Sequence, residues 1–193
     1  MDCVEPKIDV RIPHEPGGML GPDCNRILNE SSHDWILFLD ADVFLPCHPN
    51  WYYVCQQAIL KQPDAGIFTC WTGRISKKSD QYHKYAPHGD DLLKHRRFAL
   101  ALWNEYGLSL TPVSRGLGGF FLLVNRRVGV TFPGEGQFNE DLGFVERVIN
   151  VGHPVLRIDG LYVYHQQDRD VGTYITGQVT AKELYDEYRS IHG

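Results

Sequence analysis

Asp40 and Asp42 stand one residue apart at the end of an apolar run, in the stretch WILFLDADVFL at residues 35–45. Two carboxylates about 5 Å apart repel by roughly 3 kcal/mol at an effective dielectric of about 20. A buried strand that delivers both to one place needs a cation, a protonated acid or exposure to water to offset that repulsion. In the plainer reading the aspartates form a strand-end turn and one caps the next element. In the other they hold a divalent metal. Ligands of open α/β sheets gather at the carboxyl ends of strands. Hard carboxylate oxygens suit Mg²⁺ or Mn²⁺ carrying a diphosphate, which would supply the positive charge.

Three other groups of residues have types suited to chemistry, and each also has an ordinary structural reading. Glu140 and Asp141 are adjacent acids that would favour the first turn of a helix through its dipole. Gly118 and Gly119 open an apolar run, either as a turn or because a ligand approaches the backbone closely. His165 follows LYVY and sits at a strand end. The remaining histidines lack ligand spacing.

The elements that must position these residues alternate along the chain, which predicts a single α/β layered domain over residues 1–193. IDVRI (8–12) reads as a strand. A helix follows from Pro22, with Leu20, Cys24, Ile27 and Leu28 on one stripe. WILFL is apolar on both faces, as a doubly covered central strand should be. Pro49 suits a first helical position, and Trp51, Cys55 and Ile59 recur every four residues up to Gln62-Pro63. GIFTCWT (66–72) is another strand, and residues 73–91 have no period and read as a long polar loop. A helix is predicted from Asp91 to Tyr106, stopped by Gly107. GGFFLLV (118–124) reads as a strand. Asn139 would cap a helix carrying Leu142, Val145 and Ile149 and ended by Gly152. PVLRI and LYVYH read as two short strands, and the capping box at Thr180–Glu183 starts a C-terminal helix over 180–191.

The totals exclude several classes of function. A net charge of −5 leaves no basic footprint for nucleic acid, and the Lys-His-Arg-Arg run at 94–97 is short enough to be a solvated helix face. The five cysteines contain no CxxC pair, so a zinc knuckle or disulfide framework is unsupported. They are expected to be reduced, packed as small hydrophobes, in a cytoplasmic protein. MDCVEPK has no apolar core of a signal peptide, and no apolar run is long enough for a membrane span.

The segment GPDCNRILNESSHDWILFLDADVFLPCHPNW resembles the middle of family 2-type glycosyltransferases of the GT-A fold. GGFFLLVNRR is similar to that family's glycine-led strand near the donor sugar. GQFNEDLGFVERVINVGHPVLRIDGLYVYH is similar to its acidic-pair segment, with a helix behind it and a closing histidine. Together these cover roughly residues 8–165. The resemblance implies a Rossmann-like, GT-A-like mixed sheet flanked by helices. It also implies transfer of a sugar from a UDP- or GDP-linked donor to a hydroxyl acceptor such as a glycan. Asp42 then matches a direct metal ligand, and Asp40 matches an acid touching the donor ribose or the metal. Asp141 matches the general base of inverting members, with Glu140 as the alternative. His165 matches a third metal ligand, and Gly118 and Gly119 the backbone beside the donor sugar. The acceptor would be held partly by the 73–91 loop.

The family ordinarily places two further strands, which build the nucleobase pocket, ahead of the one that IDVRI resembles. The chain is therefore expected to be N-terminally truncated relative to that pattern: a fragment, a shortened protein, or half of a site completed by a partner chain. WILFL should then either take IDVRI as its neighbour or have an open apolar edge, which favours a homodimer. Two other functions fit less of the pattern. One is a non-catalytic GT-A-like binding module. The other is a phosphatase of the haloacid dehalogenase type, where Phe44 stands in place of the Thr or Val such enzymes use.

Overall fold

The structure, a computed structural model, describes residues 5–14, 20–134 and 140–166. The helix predicted over 180–191 and its capping box, together with Asn139, lie outside the described residues.

Strand β1 (Ile8–Arg11) leads to helix α1 (Gly21–Glu30), which carries a proline in its first turn, where no intrahelical N–H is needed. Strand β2 (Trp35–Leu39) is buried at every position. A two-residue strand β3 (Val43–Phe44) follows, then helix α2 (Trp51–Lys61). Pro49 lies in the turn ahead of α2 and not inside it. Strand β4 (Ile67–Trp71) and the 73–91 segment lead to helix α3 (Leu92–Tyr106). Asp91 caps α3 by accepting from the N–H groups of Leu93 and Lys94 at 3.0 and 3.2 Å. Gly107 ends it at φ +51°, where a side chain would be strained.

Strand β5 (Leu110–Pro112) has no clear sequence signature. Strand β6 (Phe121–Asn125) begins only after Gly118 and a turn at Gly119 and Phe120. Helix α4 (Glu140–Asn150) precedes strand β7 (Val155–Tyr162) and the short β8 (Tyr164–His165). The two strands expected from PVLRI and LYVYH are thus one long strand and a stub. Asp159-Gly160 looks like a turn in sequence. The chain stays extended there because Leu110 pairs with Ile158 and the Asp159 N–H bonds Ser109 O at 2.9 Å.

The six-stranded sheet has the order β1-β2-β6-β4-β7-β5, with mixed parallel and antiparallel pairing. Trp35, Leu37 and Leu39 of β2 pack with Val54, Cys55 and Ile59 of α2. Ile36 and Phe38 point the other way, into a layer with Ile27 and Leu28 of α1 and Phe144, Val145 and Val148 of α4. That double cover explains the uninterrupted apolar run, since alternate residues each find a packed layer. Cys24, Cys47, Cys55 and Cys70 are free and buried, and burial pushes the Cys24 and Cys55 thiols up to about 12.

β2 takes β1 as its parallel neighbour, from Ile8 opposite Trp35 to Arg11 opposite Phe38, so the strand carrying the two aspartates has no open edge. β1 is the outer strand, and it carries the Asp9–Arg11 ion pair at 2.8 Å. Charge on an edge strand opposes pairing with another chain. Among the described residues no helix is long and apolar enough to cross a membrane.

A candidate metal centre beside a carboxylate

The sheet ends where β2 stops at Leu39. The Asp40 N–H donates to Phe120 O at 3.2 Å, and the Val43 N–H returns to Asp40 O at 3.2 Å. This turn sets Asp40 and Asp42 on the same side of the chain. β3 then pairs antiparallel with β8, placing Val43 opposite His165, and the Gln166 N–H donates to Asp42 O at 2.9 Å. Two stub strands thereby bring a histidine from the far end of the described chain to the paired acids. His165 Nε2 lies 3.2 Å from Asp42 Oδ1 and 3.5 Å from Asp40 Oδ2.

These three side chains each offer a ligand atom, all within 4.8 Å of one another. A small octahedral dication needs adjacent donors about 3 Å apart, so a minor contraction would close the set around an ion. His165 is buried while both aspartates are partly exposed, which leaves one side of the cluster open to solvent. His165 Nδ1 is buried with no hydrogen-bond partner among the described residues, so Nε2 carries all the polar contacts of this ring. The Phe120 ring stacks on the imidazole, with centroids 5.2 Å apart and planes 21° apart, and holds it in place.

The two acids differ in their surroundings. Burial pushes the Asp40 carboxyl above the usual range, the neighbouring His165 opposes this, and the negative charges of Asp42 and Asp141 add to the rise. The Asp42 carboxyl is held below the usual range, chiefly by its hydrogen bond with His165, against the effect of burial. A dication would favour the ionised form of both.

Asp141 lies in the first turn of α4. Its Oδ2 accepts the Gly119 N–H at 2.7 Å and its Oδ1 accepts the Leu142 N–H at 2.9 Å. A carboxylate offers about four lone-pair positions, so two N–H bonds leave room for a proton from a third group. A Cβ on Gly119 would sit 3.1 Å from Asp141 Cβ, and one on Gly118 would sit 2.9 Å from Ile75 Cδ1. The absence of side chains at both glycines is what lets the turn lie against Asp141 and the 73–91 segment. Asp141 is thus tied to Gly119, and Phe120, the next residue, is tied to Asp40 and His165.

Glu140 is turned elsewhere. Its Oε2 accepts the Gly21 N–H, serving the start of α1, where Leu20 supplies no side-chain cap. Burial raises its carboxyl above the usual range, opposed by the N–H groups of Gly21 and Leu20.

Sequence reasoning brought Asp40, Asp42, His165, Asp141 and the glycine pair into one neighbourhood, and it overlooked two contributors. Phe120 reads only as strand core, because nothing local distinguishes a phenylalanine that covers a histidine from one that fills a layer. Gln81 sits in a polar stretch without period, yet it is fully buried.

No family model matches the chain, and no curated protein matches it.

Proposed function

We propose that the chain is a metal-dependent glycosyltransferase of GT-A-like architecture. It would move a sugar from a UDP- or GDP-linked donor to a hydroxyl of a glycan or other acceptor, with inversion. The observation that carries this reading is the cluster of Asp40, Asp42 and His165, linked to Asp141 through the consecutive residues Gly119 and Phe120.

Asp40, Asp42 and His165 would hold the ion. One imidazole among two carboxylates favours Mn²⁺ over Mg²⁺. The bound ion would offset the charge that accumulates on the leaving diphosphate. The chain's own contribution is positioning and proton transfer. An acceptor hydroxyl is a weak nucleophile, and a carboxylate within hydrogen-bond reach can take its proton as the new bond to the anomeric carbon forms. Asp141 fits that role better than Glu140, whose oxygen is committed to α1. As the acceptor oxygen bonds to the anomeric carbon, the bond from that carbon to the diphosphate breaks. The acceptor's proton ends on Asp141.

The test is titration of the chain with UDP and with GDP in the presence of Mn²⁺, followed by a transfer assay over a panel of donor sugars. The reading expects metal-dependent nucleotide binding and product of inverted configuration. A chain that binds Mn²⁺ but no nucleotide would leave a metal-binding module instead.

A further inference from the structure

The 73–91 segment looks like a solvated loop in sequence, but Gln81 is completely buried, with its side chain between Thr69 of β4 and Gly118 ahead of β6. β4 and β6 pair only at Ile67 opposite Val124 and Phe68 opposite Leu123. The ladder with β6 goes no further than Phe68, while on its other side β4 continues along β7 with a register shift between Thr69 and Trp71. The Gln81 carboxamide stands in the gap. Its Oε1 accepts the Gly118 N–H at 2.6 Å, and its Nε2 donates to Gly118 O at 3.2 Å and to Thr69 Oγ1. Thr69 uses its own proton on Phe121 O at 2.9 Å, so its oxygen is left as an acceptor. That fixes which end of the amide faces which partner.

Gln81 therefore does for Gly118 what a neighbouring strand would do, grasping both backbone groups of one residue. The main chain around Gln81 is itself fixed. The Thr72 N–H donates to Gln81 O at 2.9 Å, and the Asp80 carboxylate accepts the N–H groups of Ser114 and Arg115, both at 3.0 Å. The peptide after Gly118 supplies the Gly119 N–H that holds Asp141.

We propose that Gln81 is a positioning residue for Asp141. By clamping Gly118 it orients the next peptide, whose N–H fixes the carboxylate, and it thereby couples the 73–91 segment to the site. The importance of this for transfer rests on Asp141 being the base; the coupling itself does not.

The experiment compares wild type with Gln81→Ala and with Gln81→Met, which fills the space without hydrogen-bonding groups. Backbone hydrogen exchange and the Gly119 amide resonance are read by NMR, with amides of the β2–β6 ladder as the internal control. Protection at Gly119 should fall by roughly five- to tenfold, the loss expected for about one net hydrogen bond. The Gly119 resonance should move while the ladder amides and Mn²⁺ affinity hold. Where transfer is measurable, kcat should fall with donor KM unchanged. Unchanged Gly119 exchange and resonance in a folded variant would overturn the proposal. So would failure of both variants to fold, because Gln81 would then be a general structural residue. Absence of transfer by the wild type with every donor would instead count against the transferase reading and leave the Gly119 result to decide the coupling.

Discussion

The Phe120 ring lies stacked on the His165 imidazole with centroids 5.2 Å apart, while the Phe120 carbonyl accepts the N–H of Asp40 at 3.2 Å. One residue thus holds two of the three candidate ligands, one through its ring and the other through its backbone. Phe120→Leu keeps the backbone bond and an apolar side chain but loses the flat contact. We expect it to fold, to lose less than the about 3–5 kcal/mol that Phe→Ala commonly costs, and to bind Mn²⁺ several-fold more weakly. Chemical denaturation and calorimetry on the same sample separate the two effects. Unchanged Mn²⁺ affinity would mean that the ring only fills space.

Asp141→Asn keeps the side chain's size and an oxygen to accept the Gly119 N–H, and removes basicity. In the proposed reaction, turnover should fall by about 10²-fold or more with little change in donor binding. Near-normal turnover, or a product of retained configuration, would reject Asp141 as base.

Much of this arrangement could be read before the fold was known. The uninterrupted apolar run of β2 announced a strand covered on both faces, and the two aspartates at its end marked a candidate site. Gly107 marked the end of α3 because its role depends on local backbone geometry. What stayed hidden depends on distant partners. β5 has no pattern of its own and is recruited by β7. The Asp159-Gly160 pair reads as a turn until strands on either side carry the chain through. Gln81 lies 37 positions from Gly118, with no local reason to be buried. His165 as a candidate ligand rested on resemblance alone, because the strand β3 that pairs with β8 and delivers it is two residues long and carries no pattern of its own.

Acid should destabilise the fold through buried histidines. Burial lowers the folded-state pKa of His48, and burial likewise lowers that of His95, whose ring bonds Tyr162 Oη at 2.7 Å and Gly89 O at 2.9 Å. Above the unfolded value of about 6.5 both states are neutral and nothing changes. As pH falls below it, the unfolded chain takes up protons that the folded chain refuses, so stability drops until the lower folded value is reached. Urea midpoints should therefore decline from pH 7.5 to 5.5. Neither His48 ring nitrogen has a partner among the described residues, and the ring packs against Trp103 at 5.1 Å. His48→Leu should thus be neutral or stabilising at pH 7.5 and flatten the decline. A decline of the same slope in the variant would exclude His48 as a contributor.

Glu140→Ala should cost about 1–3 kcal/mol by leaving the Gly21 N–H unpaired at the start of α1. Glu140→Gln, which keeps the acceptor oxygen, should recover much of that. Both should bind Mn²⁺ like wild type, since Glu140 lies outside the ligand cluster. A large loss of metal affinity in either variant would place Glu140 in the centre after all.

The central claim is that Asp40, Asp42 and His165 form one metal site, and calorimetric titration of Mn²⁺ tests it most directly. Wild type is predicted to bind one ion per chain, and Asp42→Ala and His165→Ala should each weaken binding by about tenfold or more while remaining folded. Wild-type affinity in a folded Asp42→Ala chain, or no Mn²⁺ binding by the wild type, would contradict the account.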